Sequence, residues 1–229
     1  MDSSIMWYYL LPLVGFLITL IAQIFISVNY KKYKKEQTRK GMSGFEVARM
    51  ILDKNGLKDV HVVEIKGELT DHYDPRRKVV RLSSEIFHGT TIASNSVAAH
   101  ECGHAIQDKN GYVFMRIRSM LVPLVNISTK IGYLVIGVGL LFSAMNWMFI
   151  GIILLLAMLM FQLVTLPVEF DASKRGKEEL NKLNILTSDE LDGSNTMLKA
   201  AAFTYVASLV ATFLEIFRYI LIFASSNRD

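Results

Sequence analysis

The chain of 229 residues has room for one small domain together with several membrane spans. Its residues are 52% hydrophobic, and its mean hydropathy is +0.33. The apolar residues fall in long blocks that need a surrounding of low dielectric constant, which indicates a membrane protein rather than a soluble one. The net charge of +4 is modest, and the single cysteine, Cys102, excludes an internal disulfide framework and suits an active region in the cytosol.

The first apolar block covers residues 6–28 and begins with the interfacial aromatic residues Trp7 and Tyr8. A helix of that length can cross about 30 Å of hydrocarbon. A basic run follows at positions 31–40, and beside a span such a run marks the cytoplasmic end more often than a nucleic-acid site. Because the block lacks the leading charge and the cleavage site of a signal peptide, we expect a retained anchor with its N-terminus outside.

The stretch from residue 41 to about residue 120 has the composition of a soluble region. Ser43 and Glu46 match a capping box, which predicts a helix over residues 44–55. The segments "DVHVVEIKG" and "KVVRLS" predict two strands, with a turn in "TDHYDPRRK" between them. The segment "SNSVAAHECGHAIQDKNG" then predicts a helix of about four turns, with Ser94 and Asn95 as candidate caps.

Two further apolar blocks, at about residues 121–142 and 147–166, are joined by a short polar turn. Basic residues precede and follow this pair, so both of its ends should be cytoplasmic. A polar segment then leads to a last apolar block that contains Glu215 and Arg218. These two charged residues lie one turn apart and would be costly facing lipid, so we expect them to face each other or the protein interior.

The predicted helix around residue 100 carries the pattern H-E-x-x-H at His100, Glu101 and His104. Residues i and i+4 share one face of a helix, so both imidazoles can bind one zinc ion, and Glu101 can reach a water molecule on that ion. A bare match also occurs by chance on helices with no metal. Small neighbouring residues that permit close packing, and a suitable ligand downstream, favour a metal site here. Cys102 points the other way round the helix and is interpreted as a packing residue.

Three motifs in order, "DHYDPRRKVVRLSSEIFHG", "VAAHECGHAIQ" and "LPVEFDASKRG", give the chain a family resemblance. The chain resembles the bacterial membrane-anchored neutral zinc metallopeptidases, and more distantly the HtpX and Ste24 membrane metalloproteases of the gluzincin type. The resemblance covers most of the chain, from the basic run to the last apolar block. It implies a gluzincin-like metalloprotease in which zinc has a third, glutamate ligand just after a transmembrane span.

The residue that matches this third ligand is Glu169, in "EFDAS". Ser173 stands where the relatives often carry aspartate, and we consider Ser173 and Asp171 as candidates for supporting the ligands. The resemblance also puts His72 and Tyr73 near the cleft, where they contact an oxyanion or the substrate, or else are ordinary turn residues. The strand "KVVRLS" is either an edge strand that pairs with an extended substrate or an ordinary packed strand.

We therefore predict a mainly α integral membrane protein with about four transmembrane helices and a small cytoplasmic α+β zincin-like catalytic region. Its predicted segments are an N-terminal anchor (1–30), a catalytic region with the H-E-x-x-H helix (31–120), a transmembrane hairpin (121–166), a cytoplasmic third-ligand helix and connector (167–199) and a C-terminal hydrophobic helix (200–229). The protein is expected to be a multi-pass protein of a bacterial cell membrane.

The predicted activity is zinc-dependent endopeptidase hydrolysis at the cytoplasmic face, by a zinc-activated water with Glu101 as general base. We expect one Zn²⁺ per chain, a membrane-associated polypeptide substrate, contact with the lipid bilayer and no nucleic acid. Two alternatives stay open at this stage. One is an intramembrane protease of the site-2 type, which would use Asp192 in "LDG"; the other is a non-catalytic membrane assembly protein with a structural zinc site.

Overall fold

The computed structural model describes residues 3–226, which form seven helices and three strands. In chain order these are α1 (Ser3–Tyr33), α2 (Gly44–Lys54), β1 (His61–Ile65), β2 (His72–Asp74), β3 (Val79–Ser83), α3 (Ser84–His88), α4 (Ile92–Lys109), α5 (Val113–Leu141), α6 (Met145–Lys182) and α7 (Ser188–Ser226).

Four helices among the described residues, α1, α5, α6 and α7, are long and apolar enough to cross a membrane. The prediction of a mainly α protein with about four candidate spans is therefore confirmed. Helix α6 differs from expectation in its length, because it continues without a break beyond residue 166 to Lys182. The added residues include strong helix formers such as Ala172, Glu178 and Leu180, which extend the helix past Pro167.

The chain divides into two compact units. The first, here called the helical unit, comprises the described parts of residues 1–23, 117–166 and 203–229. Its buried core is formed by Ile136, Met148, Ile152, Leu155, Ile216 and Tyr219. Many large apolar side chains of this unit are exposed, as expected for helices surrounded by lipid.

The charged pair of the last apolar block lies within the helical unit. Glu215 and Arg218 form an ion pair with 3.8 Å between Oε1 and Nη2. Tyr133 and Tyr219 both donate hydroxyl hydrogen bonds to Glu215, at 3.0 and 3.2 Å. The expectation that these two charges face each other is confirmed, and the two phenols supply partners that the carboxylate needs in an apolar surrounding.

The second unit, here called the mixed unit, comprises residues 24–116 and 167–202 and contains the three-stranded sheet. The strand order is β1-β3-β2, with β3 parallel to β1 and antiparallel to β2. The segment "KVVRLS" is thus the central strand, and the hypothesis that it is an edge strand open to a substrate is wrong. Both of its backbone edges are already paired, and four of its five side chains are buried.

Local signals at the helix starts of the mixed unit were partly identified from the sequence. The capping box of α2 is present, with Ser43 accepting from the backbone N–H of Glu46 and the Glu46 carboxylate accepting from that of Ser43. Helix α4 begins earlier than predicted. Its cap is Thr91, whose hydroxyl accepts from the N–H of Ser94, so Ser94 and Asn95 lie inside the helix and are not its cap.

Within the mixed unit, α4 packs closely against the C-terminal part of α6 through two glycines. A Cβ atom added at Gly103 would lie 2.3 Å from the carbonyl oxygen of Ala172, and one added at Gly176 would lie 2.7 Å from that of Ala99. Only hydrogen at these two positions allows the backbones to approach so closely. This contact places the face of α4 that carries the histidines against α6. The part of α6 involved is the part that directly follows its apolar stretch.

Candidate metal centre

Three side chains in the mixed unit could hold a metal ion together: His100 and His104 from α4, and Glu169 from α6. One ligand atom from each lies within 4.8 Å of the others. The carboxylate Oε2 of Glu169 is 3.3 Å from Nε2 of His100 and 3.8 Å from Nε2 of His104. His104 and Glu169 are buried, and His100 is half-buried.

This arrangement fits zinc in both donor type and spacing. Two ligands bound about 2.1 Å from a tetrahedral ion are about 3.4 Å apart, close to the two histidine–carboxylate distances. Imidazole nitrogen and carboxylate oxygen are the donors that catalytic zinc sites use. The chain's own residues can therefore hold the ion that the H-E-x-x-H pattern predicts.

A hydrogen-bond network fixes the ring of His104. The amide nitrogen of Gln107 donates to the carbonyl of Val168 and to the Asp171 carboxylate, both at 2.8 Å. The amide oxygen of Gln107 is therefore the atom that faces Nδ1 of His104, at 3.0 Å. Because this oxygen only accepts, Nδ1 carries the hydrogen, and Nε2 keeps a lone pair for a metal. Arg175 in turn donates to Asp171 and holds that carboxylate in place.

The ring of His100 is held in a similar way by α6. Its Nδ1 lies 3.0 Å from the hydroxyl oxygen of Ser173. With Nδ1–H donating to this oxygen, the Nε2 atom that faces Glu169 carries the lone pair that a metal would use, which matches the arrangement at His104. The two candidates for supporting the ligands thus contact different histidines. Ser173 contacts His100 directly, and Asp171 acts on His104 through Gln107.

Glu101 lies beside these ligands but outside the group of three. Its side chain is 7% exposed. Burial raises the pKa of Glu101 to about 7, and the charges of Glu169 and Asp71 act in the same direction. His100 and a hydrogen bond from the backbone N–H of Tyr73 lower the pKa of this carboxyl in part. A carboxyl group whose pKa lies near neutral pH, next to a metal site, is suited to accept and release a proton.

The remaining predicted residues have other contacts. The Tyr73 hydroxyl donates to Asp108 at 2.9 Å. His72 contacts the carbonyl of Thr70 through Nδ1, and its Nε2 lies 3.1 Å from Arg81. A role for His72 and Tyr73 toward an oxyanion or substrate stays a prediction. Both residues lie in strand β2 rather than in the predicted turn.

Cys102 and Asp192 lie away from the ligand group. The Cys102 thiol is fully buried and donates to the carbonyl of Ala48, and burial strongly raises the pKa of this thiol. It is a packing residue, as predicted. Asp192 is exposed and lies in the second turn of α7, after the first-turn acids Asp189 and Glu190. The structure therefore gives no support to a site-2-type ligand at Asp192.

Gln107 and the backbone N–H of Tyr73 are parts of the site that were not identified from the sequence. Gln107 follows His104 by three residues, so helical spacing alone places both on one face and could have identified it. The hydrogen bond from the Tyr73 backbone to Glu101 had no such signal. It depends on the position of strand β2 relative to α4, which is a tertiary property.

Replacing Gln107 by methionine, which has a similar size but no amide, is expected to weaken zinc binding by about 10–100-fold, because His104 loses the partner that orients its ring. Competition with a chelator of known affinity measures this change. Lys109→Gln, an exposed change on the same helix, is the control and should leave the affinity unchanged. Equal zinc affinity in the Gln107→Met protein would show that the network does not support the metal site.

Comparisons with known proteins identify a family whose description names zinc. A family model described as "Putative neutral zinc metallopeptidase" matches residues 8–224. The chain is also 42% identical over 208 residues to the "Putative membrane protease YugP" of Bacillus subtilis (strain 168), an alignment that covers 91% of this chain and 92% of that protein. No solved structure matches the chain significantly.

Proposed function

The chain belongs to this family of neutral zinc metallopeptidases, and from that premise we propose that it is a membrane-embedded zinc endopeptidase whose catalytic region faces the cytoplasm. The observation that supports this proposal best is the convergence of His100, His104 and Glu169 beside a buried Glu101. Three ligands of these types, next to a carboxylate that is not itself in the group, are what zinc-dependent hydrolysis requires.

Each residue of the centre has a distinct task in this proposal. Zinc, when bound, supplies a Lewis acid that lowers the pKa of water and polarises a carbonyl group. His100, His104 and Glu169 hold the ion, while Gln107 and Ser173 orient the two imidazoles. Glu101 takes the proton from the attacking water and delivers it to the leaving amine nitrogen.

The number of ligands favours catalysis over a purely structural role for the metal. Structural zinc sites are normally closed by four protein ligands, whereas catalytic sites use three and leave one position for water. In the described part of the chain the group contains three His or carboxylate ligands. The soft donor Cys102 is engaged elsewhere, with Ala48. We therefore propose a catalytic zinc site and not a membrane assembly protein with a structural zinc site.

The proposed orientation rests on the basic residues that flank the candidate spans. Residues 31–40, 116–118 and 174–177 should be cytoplasmic, and the turn at residues 143–146 should be outside. Single cysteines at Lys35 and Ser143 on a Cys102→Ser background test this arrangement in intact cells. An impermeant thiol reagent should label the cysteine at position 143 and spare that at position 35. Labelling of position 35 alone would reverse the proposed topology.

The proposed activity is tested by comparing the protein termini in membranes that contain either the wild type or Glu101→Gln. New N-termini should occur only with the wild type, and they should belong to membrane proteins, because the site is expected to lie at the bilayer surface. Both proteins must be present in equal amounts and carry equal zinc. An identical set of termini in the two membranes would contradict peptidase activity.

A further inference from the structure

A second feature of the mixed unit is a cavity of about 190 Å³ between the C-terminal part of α6 and the N-terminal part of α7. It contains none of the three metal ligands and adjoins the metal centre at Ser173. Its lining residues are Phe170, Ser173, Lys174, Lys177, Asn195, Leu198, Lys199 and Ala202. Three of these eight residues are lysines, and none is acidic. A concave site with such a lining attracts an anion.

The polar lining groups of the cavity are nearly all hydrogen-bond donors. Lys177 donates to the side-chain oxygen of Asn195 at 3.3 Å, which leaves the amide N–H₂ of Asn195 as a donor. Ser173, if it accepts from His100, keeps its own hydroxyl hydrogen for another acceptor. The ammonium group of Lys174 forms a long ion pair with the carboxylate of Glu178, at 3.9 Å. Within residues 3–226 no carboxylate forms an ion pair with Lys177 or Lys199, so their charge is available to a ligand.

The two ends of the cavity differ in polarity along the two helices, and Lys174 and Lys199 lie between these ends. Phe170 and Ala202 lie nearest in sequence to the apolar stretches of α6 and α7, whereas Lys177 and Asn195 lie farthest from them. A ligand that matches this order has an apolar chain at one end and an acceptor-rich anion at the other. The volume is below the roughly 300–1,000 Å³ of pockets that enclose whole small molecules, so it suits a headgroup whose chains extend outside.

We propose that this cavity binds the phosphate headgroup of an anionic phospholipid, with Lys174, Lys177 and Lys199 around the phosphate and Phe170, Leu198 and Ala202 against the start of the acyl chains. Basic pockets between membrane helices on the cytoplasmic side are a known way of holding such headgroups. The phosphate chemistry alone would also fit free phosphate. The apolar end of the cavity favours the lipid. This inference does not depend on peptidase activity.

Native mass spectrometry of the full-length protein in zwitterionic detergent tests the site with three probes: phosphatidylglycerol, phosphatidylcholine with the same acyl chains, and inorganic phosphate. The wild type should bind phosphatidylglycerol more tightly than phosphatidylcholine. The double variant Lys177→Gln/Lys199→Gln should lose about 30-fold in affinity for phosphatidylglycerol, since each lysine near an anionic headgroup contributes about fivefold. The control Lys66→Gln/Lys182→Gln removes two exposed lysines outside the cavity and should change the affinity less than twofold.

Equal binding of the two lipids, or unchanged affinity in the double variant, would overturn the proposal. Displacement of phosphatidylglycerol by inorganic phosphate at the same lysines would assign the site to free phosphate instead. A photoactivatable phosphatidylglycerol gives a second readout on the unmodified wild type. Its crosslinks should fall within residues 170–177 and 195–202, and crosslinks found only elsewhere would place the lipid outside this cavity.

Discussion

The Glu101→Gln protein is expected to lose about 10²–10⁴-fold of its peptide hydrolysis and to keep its zinc. Glutamine has nearly the same size as glutamate, and its side-chain oxygen can still accept the hydrogen bond from the Tyr73 backbone. It cannot take a proton from water, however, so the chemical step is lost while the fold remains. Hydrolysis rates and zinc content are measured on the same preparation, because only the combination separates a base from a ligand.

Glu68→Gln serves as the control for this change, since it also removes one carboxylate but at an exposed position. Its activity and zinc content should match the wild type. A Glu101→Gln protein that is folded but free of metal would show that Glu101 is a ligand or a structural residue. In that case the assignment of the general base would be wrong, even if peptidase activity were lost.

Glu169→Ala is expected to lose both zinc and activity, whereas Asp192→Ala keeps both. Glu169 is 3% exposed and its Oε2 faces Nε2 of both histidines, so its removal leaves zinc with two protein ligands. Asp192 is exposed in the second turn of α7, where a surface substitution changes the free energy of unfolding by less than about 0.5 kcal/mol. Zinc content by mass spectrometry and thermal unfolding are measured for both variants.

Glu169→Gln separates metal binding from packing at this buried position. The amide keeps the volume of the side chain but is a weaker zinc ligand, so the variant should fold and still lose most of its zinc. Retention of zinc by Glu169→Ala together with its loss from Asp192→Ala would contradict the assignment. That pattern would revive the site-2-type interpretation, in which the "LDG" aspartate is the third ligand.

Several features that depend on local sequence were predicted correctly, although the cap of α4 was not. The capping box of Ser43 and Glu46 involves residues three apart, and the structure contains both of its hydrogen bonds. The H-E-x-x-H pattern predicts that two imidazoles share a helix face, and their ring centroids are 4.8 Å apart. Periodicity and hydropathy also identified the candidate spans. Each of these predictions needs only the geometry of one helix.

The features that depend on contacts between distant segments were harder to predict. Strand β3 is central because His61 of β1 and Asp74 of β2 both pair with Val79, and nothing within β3 itself indicates two neighbours. The support of His100 by Ser173, and the hydrogen bonds of Gln107 to Val168 and Asp171, depend on how α4 is rotated against α6. That rotation follows from the close backbone contacts at the two glycines described above, which a single helix does not reveal.

X-ray absorption at the zinc edge of the purified full-length protein tests the central claim most directly, because it reports the atoms bound to the metal. The account predicts two imidazoles completed by oxygen donors at about 2.0–2.1 Å, with no sulfur. One imidazole should disappear from the spectrum of His104→Ala if that protein still binds zinc. A sulfur ligand in the wild type, or a spectrum without histidine, would contradict a metal centre built from His100, His104 and Glu169.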